Sequence, residues 1–235
     1  VIVCGLLPMS SSPHPGCVVV PDDAPRWSLE HFVVPTHYKP HVGSIMLPNG
    51  LIRDRVDKLA ADIYASYDFA SPGAPPLHLL VVLKGAHEFF SDLHDALRKL
   101  LAAQNIRQAP IGFDFVRVSS YSGTESTGQA SITAVGADLT VLKGKNVIVV
   151  EDIIDTGHSM AKLIPMLQGY GPLSIKTCTL LQKRTPKSNG LIGDFIGFSI
   201  PDHFVVGYGL DYNEAFRELI HICVMNEEGI KFYAK

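Results

Sequence analysis

The sequence predicts an α/β fold with a mostly parallel central sheet flanked by helices. Several short runs are almost wholly apolar, as strands are when helices cover both faces of a sheet. Between these runs lie segments whose apolar residues recur at helical spacing. Strands and helices that alternate in this way are typical of parallel α/β folds. With 235 residues, 46% of them hydrophobic, the chain can form one core and a small second lobe.

The first half of the chain predicts two helices and two strands in alternation. Residues 1–26 are rich in Pro, Ser and Gly, so we expect a disordered extension there and a single domain over residues 27–235. Residues 53–67 predict an amphipathic helix. The run Leu77–Leu83 predicts a buried strand, residues 86–103 a second amphipathic helix, and residues 111–118 another strand.

The second half begins with a polar segment and continues with further strands. Residues 119–131 are mostly Ser, Thr and Gly, and such a stretch cannot hold itself in a core, so we expect a mobile lid. Residues 147–150 predict the most strongly buried strand, and residues 159–167 a helix that Pro165 distorts. Three more strands are predicted at residues 175–181, 195–200 and 204–208.

Charge, cysteine content and hydropathy argue against several classes of protein. A net charge of −3 without a basic stripe argues against nucleic-acid binding. The four cysteines are scattered and form no C-x-x-C pair, which favours a reducing, cytoplasmic setting over a zinc site or disulfide framework. No stretch approaches the roughly 20 apolar residues of a membrane span. The start of the chain lacks signal-peptide features, and we expect Met9 to be the natural start.

The segment of residues 146–159, N-V-I-V-V-E-D-I-I-D-T-G-H-S, predicts the reactive site. In open α/β sheets, ligands bind beyond the carboxyl ends of strands. Small residues that open a helix leave backbone N–H groups free to bind a phosphate. Glu151, Asp152 and Asp155 would repel that phosphate unless a divalent cation is shared, and Mg²⁺ bridges carboxylates to substrate phosphates. The pattern therefore predicts a site for a phosphorylated sugar that carries a diphosphate.

A simpler interpretation of this segment has no ligand. Asp155 would then cap the N-terminus of the following helix, and Glu151 and Asp152 would be solvated loop residues. The apolar strand and the E-D pair directly upstream favour the ligand site.

The same segment resembles the diphosphoribosyl-binding motif of type I phosphoribosyltransferases. The remaining chain is similar to the hypoxanthine-guanine branch of that family over about residues 30–235. The matching stretches are residues 82–85 (V-L-K-G), 115–121 (F-V-R-V-S-S-Y), 180–186 (L-L-Q-K-R-T-P), 201–208 (P-D-H-F-V-V-G-Y) and 210–217 (L-D-Y-N-E-A-F-R). The resemblance implies the family fold with a small hood subdomain built from the terminal segments.

The resemblance also implies a reaction and a set of roles. The enzyme would transfer 5-phosphoribosyl from 5-phosphoribosyl-1-diphosphate to hypoxanthine or guanine, giving IMP or GMP in purine salvage, as a homodimer or homotetramer. Asp155 would act near purine N7 as the general base or as a hydrogen-bond partner for the departing proton. Glu151 and Asp152 would hold the ribose hydroxyls and Mg²⁺. The 5′-phosphate would be bound by Asp155, Thr156, Gly157, His158 and Ser159.

Further residues are assigned to the base and the diphosphate by the same resemblance. Lys183 would donate to the 6-oxo oxygen, Phe204 would stack on the base, and the Val205 backbone would read its edge. Asp211 would coordinate a second Mg²⁺ and contact the base. Lys84, Gly85 and Arg217 would bind diphosphate, and Ser120 and Tyr121 would belong to the lid. Two simpler interpretations stay open: Phe204 and Val205 as core strand, and Asp211 with Arg217 as an ion pair on the surface of a helix, although their spacing of six residues does not place both on one side of it.

Three positions depart from the pattern of the family. Ala86 stands where a second glycine is common, which would be a difficulty if φ must be positive. Ser119 replaces a frequent lysine. His158 replaces a Lys or Arg, and a histidine is mostly neutral at pH 7. We therefore expect weaker binding of the diphosphate donor.

The sequence bears on two alternative functions. A catalytically weakened, nucleotide-binding paralogue with a regulatory or partner-binding role would keep the fold, but the presence of Asp155 favours an enzyme. A dinucleotide-binding oxidoreductase is disfavoured, because no G-x-G-x-x-G follows an early strand.

Overall fold

The computed structural model describes residues 16–106, 111–120, 130–134 and 138–234, with the backbone alone at 119–120 and 130–134. Tyr121 and the rest of the expected lid up to residue 129 lie outside the described residues. The ends of that lid segment lie in two antiparallel strands, where Ser120 pairs with Ala130.

A seven-stranded sheet forms the centre of the molecule, in the order β1-β8-β7-β6-β3-β4-β5. Six neighbouring strands run parallel, and β5 is antiparallel to β4 at one edge. The predicted parallel α/β fold is therefore confirmed. The strands are β1 Val18–Val19, β3 Leu77–Leu83, β4 Ile111–Ser120, β5 Ala130–Ala134, β6 Asn146–Ile154, β7 Ser174–Arg184 and β8 Phe195–Pro201.

Helices cover both faces of this sheet, which explains its near-continuous apolar strands. Alternate residues of β3 point to opposite faces: Leu79 and Val81 pack in one core, and Leu80 and Val82 in the other. The helices α1 Asn49–Ser66 and α2 His87–Ala103 cover the first face. The helix α3 His158–Gln168 covers the second, with Pro165 inside it.

A smaller antiparallel sheet forms the hood. Its strands β2 Val42–Leu47, β10 Ile222–Met225 and β9 Val205–Val206 lie in that order. The helix α4 Glu227–Tyr233 ends the described chain. Ile45, Phe216 and Cys223 belong to a core of the hood's own. The expected hood subdomain is confirmed, and its first strand begins only at residue 42.

The structure differs from the sequence prediction in two stretches. Residues 16–26 belong to the segment expected to be disordered, yet Val18 and Val19 pair with Phe198 and Ser199 at the edge of the main sheet. This pairing satisfies the backbone groups of the edge strand β8. The strand predicted at residues 204–208 is only two residues long, because the backbone turns at Gly207 with a φ of 97°.

No helix in the described part of the chain is long and apolar enough to cross a membrane.

Candidate active site

The predicted site residues gather at the carboxyl edge of the main sheet. Lys84 and Gly85 follow β3, Glu151 and Asp152 lie in the last part of β6, and Lys183 lies near the end of β7. Because parallel strands end at the same edge, residues far apart in sequence meet there.

Glu151 and Asp152 form a pair of carboxyls that burial keeps from water. Burial, then the charge of Asp152 and a hydrogen bond with it, raise the pKa of Glu151 well above its ordinary value. Burial also raises the pKa of Asp152, although the Ile153 N–H donates to Oδ1 at 2.8 Å and opposes the rise. Among the described residues, none hydrogen-bonds to the buried Oε2 of Glu151. The charge of Arg217 also lowers the pKa of Asp152, so it is Oε2 of Glu151 that has no hydrogen-bond partner in the described part of the chain.

These carboxyl oxygens fit a magnesium ion and sugar hydroxyls in their chemistry. Mg²⁺ prefers oxygen ligands and usually takes only one or two carboxylates from a protein. The described residues contain no cluster of three or more His, Cys, Asp or Glu side chains that could hold a metal by themselves. The orphaned oxygen of Glu151 is the structural observation that supports this fit.

The loop after β3 is pressed against this carboxyl pair. A Cβ at Gly85 would lie 1.6 Å from Oδ2 of Asp152, so only glycine fits. The Leu83–Lys84 peptide bond is cis. Ala86 has a φ of −72° at the N-cap of α2 and is fully buried. The possible clash at Ala86 is thus absent, because its backbone is ordinary for an L residue.

The turn between β6 and α3 has the features of a phosphate cradle. Gly157, with a φ of 80°, is the N-cap of α3, and no side chain of the described chain caps this end. The first backbone N–H groups of the helix are therefore free to bind an anion. A small cleft of about 80 Å³ opens here and is lined by residues that include Glu151, Asp155, Thr156, Gly157 and Ser159.

Asp155 is not the capping residue of the simpler interpretation. Its Oδ2 lies 3.0 Å from Nζ of Lys183. Lys183 is nearly buried, with 10% of its side chain exposed, whereas Asp155 is half exposed at 49%. His158 hydrogen-bonds to Oγ1 of Thr156 at 2.9 Å. The structure thus brings together the predicted base, the predicted 6-oxo donor and the cradle.

Phe204 and Val205 have different environments. Val205 is buried in β9, where it packs in the core that α1 and α2 cover, as the core-strand interpretation expects. Phe204 is 41% exposed, with its ring edge-on to Tyr212 at 4.9 Å between centroids. Phe204 is thus a partly exposed aromatic residue and not a core one.

Asp211 and Arg217 form an ion pair of 2.7 Å, as the simpler interpretation expects, but in a loop and not on a helix. Arg217 also donates to the Gly209 carbonyl at 2.8 Å. The second oxygen of Asp211 accepts the Glu214 N–H. Each carboxylate oxygen can accept more than one partner, so these contacts leave Asp211 able to bind a metal.

Sequence reasoning missed three residues of this site. Glu214 forms an ion pair with Lys84 at 2.7 Å and so neutralises it. The second is Gly209, which packs so closely that a Cβ there would lie 2.2 Å from the Gly85 carbonyl oxygen. The third is Asn189, whose Oδ1 would lie 2.3 Å from a Cβ at Gly157. The Gly-Tyr-Gly run at residues 207–209 was the sequence signal that could have identified Gly209. The Ser120 side chain and Tyr121 lie outside the described residues.

Comparisons with known proteins agree with this geometry. The family model "Phosphoribosyl transferase domain" matches residues 44–213. Hypoxanthine-guanine phosphoribosyltransferase of Homo sapiens is 46% identical over 212 residues, covering 90% of this chain and 94% of its own length. The protein of that name from Bos taurus is 44% identical over the same coverage. The crystal structure of the Schistosoma mansoni protein in complex with IMP has a TM-score of 0.77 and 38% identity, over 93% of this chain and 99% of that one.

Proposed function

The chain belongs to the phosphoribosyltransferase family, and from this membership we propose that it is a hypoxanthine-guanine phosphoribosyltransferase. It transfers 5-phosphoribosyl from 5-phosphoribosyl-1-diphosphate to hypoxanthine or guanine and releases diphosphate, in purine salvage. The observation that carries this proposal is the Asp155–Lys183 pair beside the uncapped N-terminus of α3. No feature of the described residues favours a regulatory paralogue.

Asp155 and Lys183 divide the work on the base. When a 6-oxopurine enters, Lys183 donates a hydrogen bond to its exocyclic oxygen, and Asp155 accepts the proton that the imidazole ring loses as its nitrogen bonds to ribose. Adenine carries an amino group at that position and would leave the nearly buried Lys183 without an acceptor from the base. This arrangement supports selection of oxopurines.

Glu151 and Asp152 are proposed to bind the ribose hydroxyls and one Mg²⁺. Both carboxyls are buried with raised pKa values, so ligands that neutralise them are favoured. The ion would neutralise charge on the departing diphosphate. Asp211 is proposed to bind a second Mg²⁺ through the remaining lone pairs of its oxygens, which already contact Arg217 and the Glu214 N–H.

The remaining contacts follow the two ends of the donor. The backbone N–H groups near Gly157, together with Thr156, His158 and Ser159, bind the 5′-phosphate. Lys84, Gly85 and Arg217 bind the diphosphate, and Ser120 and Tyr121 cover the reacting centre as a lid. Phe204 stacks on the base, and the Val205 backbone contacts the edge of the base.

We also propose a cytoplasmic location and a homodimer or homotetramer, with no nucleic-acid or membrane partner. Cys178 and Cys223 are buried thiols, and a reducing compartment suits them. Trp27, Val33 and Ile220 are large exposed apolar side chains on the hood side, which supports self-association.

An absorbance assay tests the proposed reaction. With the donor and excess Mg²⁺, the protein should form IMP from hypoxanthine or GMP from guanine, and adenine should react at least about 100-fold more slowly. Removal of Mg²⁺ by EDTA should stop turnover. Equal rates with adenine, or no nucleotide from any oxopurine, would refute the proposal.

A further inference from the structure

Residues 18–27 run from the core to the hood, and we call them the strap. At one end, β1 pairs with β8, and the Val20 N–H donates to the Ser199 carbonyl at 2.9 Å. At the other end, Trp27 and Ile45 of β2 exchange two backbone hydrogen bonds of 3.0 Å. The strap therefore fixes both subdomains to one continuous segment.

Arg184 fastens the strap to the end of β7. Its guanidinium donates to the carbonyls of Ser199 at 2.8 Å and Val20 at 2.7 Å, and it forms an ion pair with Asp22 at 2.5 Å. Arg184 directly follows Lys183. Its contacts thus hold the backbone from which the proposed 6-oxo donor extends.

Arg26 fastens the strap to the residue before Phe204. Its guanidinium hydrogen-bonds to Nε2 of His203. Arginine can only donate, so this nitrogen accepts and His203 is neutral in the contact. Burial lowers the pKa of His203, and the charges of Arg26 and, more weakly, Lys183 lower it further, against the opposing carboxylates of Asp202 and Asp22. Because His203 directly precedes Phe204, the strap contact lies next to the residue that is proposed to stack on the base.

We propose that the strap positions Lys183 and Phe204, the two side chains that would contact the purine. Arg26 and Asp22 are then positioning residues for the purine. The inference rests on the proposed function, because Lys183 and Phe204 are the side chains proposed to contact the base. Each is adjacent in sequence to a residue that the strap holds, Arg184 and His203. The strap contacts neither the phosphate cradle nor the Gly85 loop in any described hydrogen bond or ion pair. Its effect should thus fall on the base and not on the donor.

The test is the separate measurement of the two Michaelis constants. In Arg26→Ala, the KM for hypoxanthine should rise about three- to tenfold, the effect of one hydrogen bond. Both kcat and the KM for the donor should stay within about twofold. Arg26→Lys keeps a donor and should recover part of the loss. Arg98→Ala, at an exposed position of α2, removes the same charge and should change nothing.

Two further measurements separate positioning from a general loss of stability. If Arg26 acts through His203, the double variant Arg26→Ala/His203→Ala should raise the KM for hypoxanthine no more than either single variant does. Hydrogen exchange should become faster at the Met225 amide, which donates to the Phe204 carbonyl at 3.0 Å.

Specific outcomes would overturn the strap proposal. An unchanged KM for hypoxanthine in Arg26→Ala, or equal rises for base and donor, would overturn it and leave the proposed function intact. A wild-type protein without turnover would instead contradict the proposed function. Hydrogen exchange at the Met225 amide would still test the strap proposal in that case, because this measurement needs no turnover.

Discussion

At the scale of single residues, the contact between Asp155 and Lys183 is the centre of the account. Lys183 lies 28 residues downstream of Asp155, so no local spacing predicts their contact. It follows from the register of β6 and β7, in which Ile154 lies opposite Gln182. A single sequence does not reveal this register, and the resemblance to a family supplied the roles. The D-T-G run itself was readable, because it follows an apolar strand and opens a helix.

Replacement of Asp155 by asparagine keeps the shape of the side chain and removes its capacity to accept a proton. We expect kcat to fall by about 100-fold or more, the usual contribution of a general base. The KM for the donor should change less than threefold in steady-state assays. Asp54→Asn, at an exposed position of α1, is the matched control. A comparable loss in kcat and in donor affinity would show that Asp155 mainly positions the ligand.

The carboxyl of Glu151 should lower stability in the absence of ligand. Its pKa is raised in the folded protein, so the folded state keeps a proton that the unfolded chain releases above about pH 4.5. Stability is therefore lost as the pH rises from that value through the raised pKa.

The variant Glu151→Gln cannot ionise, so without ligand it should melt at a higher temperature than the wild type at pH 7.5. Donor with Mg²⁺ should raise the melting temperature of the wild type but hardly that of the variant. Differential scanning fluorimetry with and without ligand measures both effects. Equal stabilisation of the two proteins by the donor would contradict the role given to Glu151.

At the scale of elements, long and strongly patterned segments were predictable. The strand Leu77–Leu83 matches its prediction residue for residue, because both of its faces are buried under helices. The strands of two and six residues at 18–19 and 42–47 carry too little periodicity to be recognised. Their pairing depends on partners elsewhere in the chain, such as Phe198 for Val18.

The N-termini of α2 and α3 carry the two departures that can be tested. Ala86→Gly should leave the KM for the donor unchanged, since φ is already −72°. The substitution should lower the free energy of unfolding by about 1 kcal/mol, because a buried methyl group is lost and the unfolded backbone gains entropy. His158→Lys should lower the KM for the donor, because it adds a positive charge beside the cradle. A lower KM for the donor in Ala86→Gly, or an unchanged one in His158→Lys, would contradict these expectations.

At the scale of the whole molecule, the site exists because distant segments converge on one edge. The strap, the hood and the carboxyl ends of β3, β6 and β7 all contribute, and the contact of Gly209 with Gly85 joins the hood loop to the core. The sequence predicted the parallel sheet but not the course of the strap, since the partners of its β1 end lie about 180 residues away.

Buried carboxyls and phosphates are proposed to share this edge through a divalent cation. Crystals grown with the donor and Mn²⁺, which accepts similar oxygen ligands, test it directly by anomalous scattering. We expect a manganese peak within coordination distance of Glu151 or Asp152, with the 5′-phosphate at the N–H groups after Gly157. A donor bound well ordered elsewhere, with its metal away from these residues, would contradict the account.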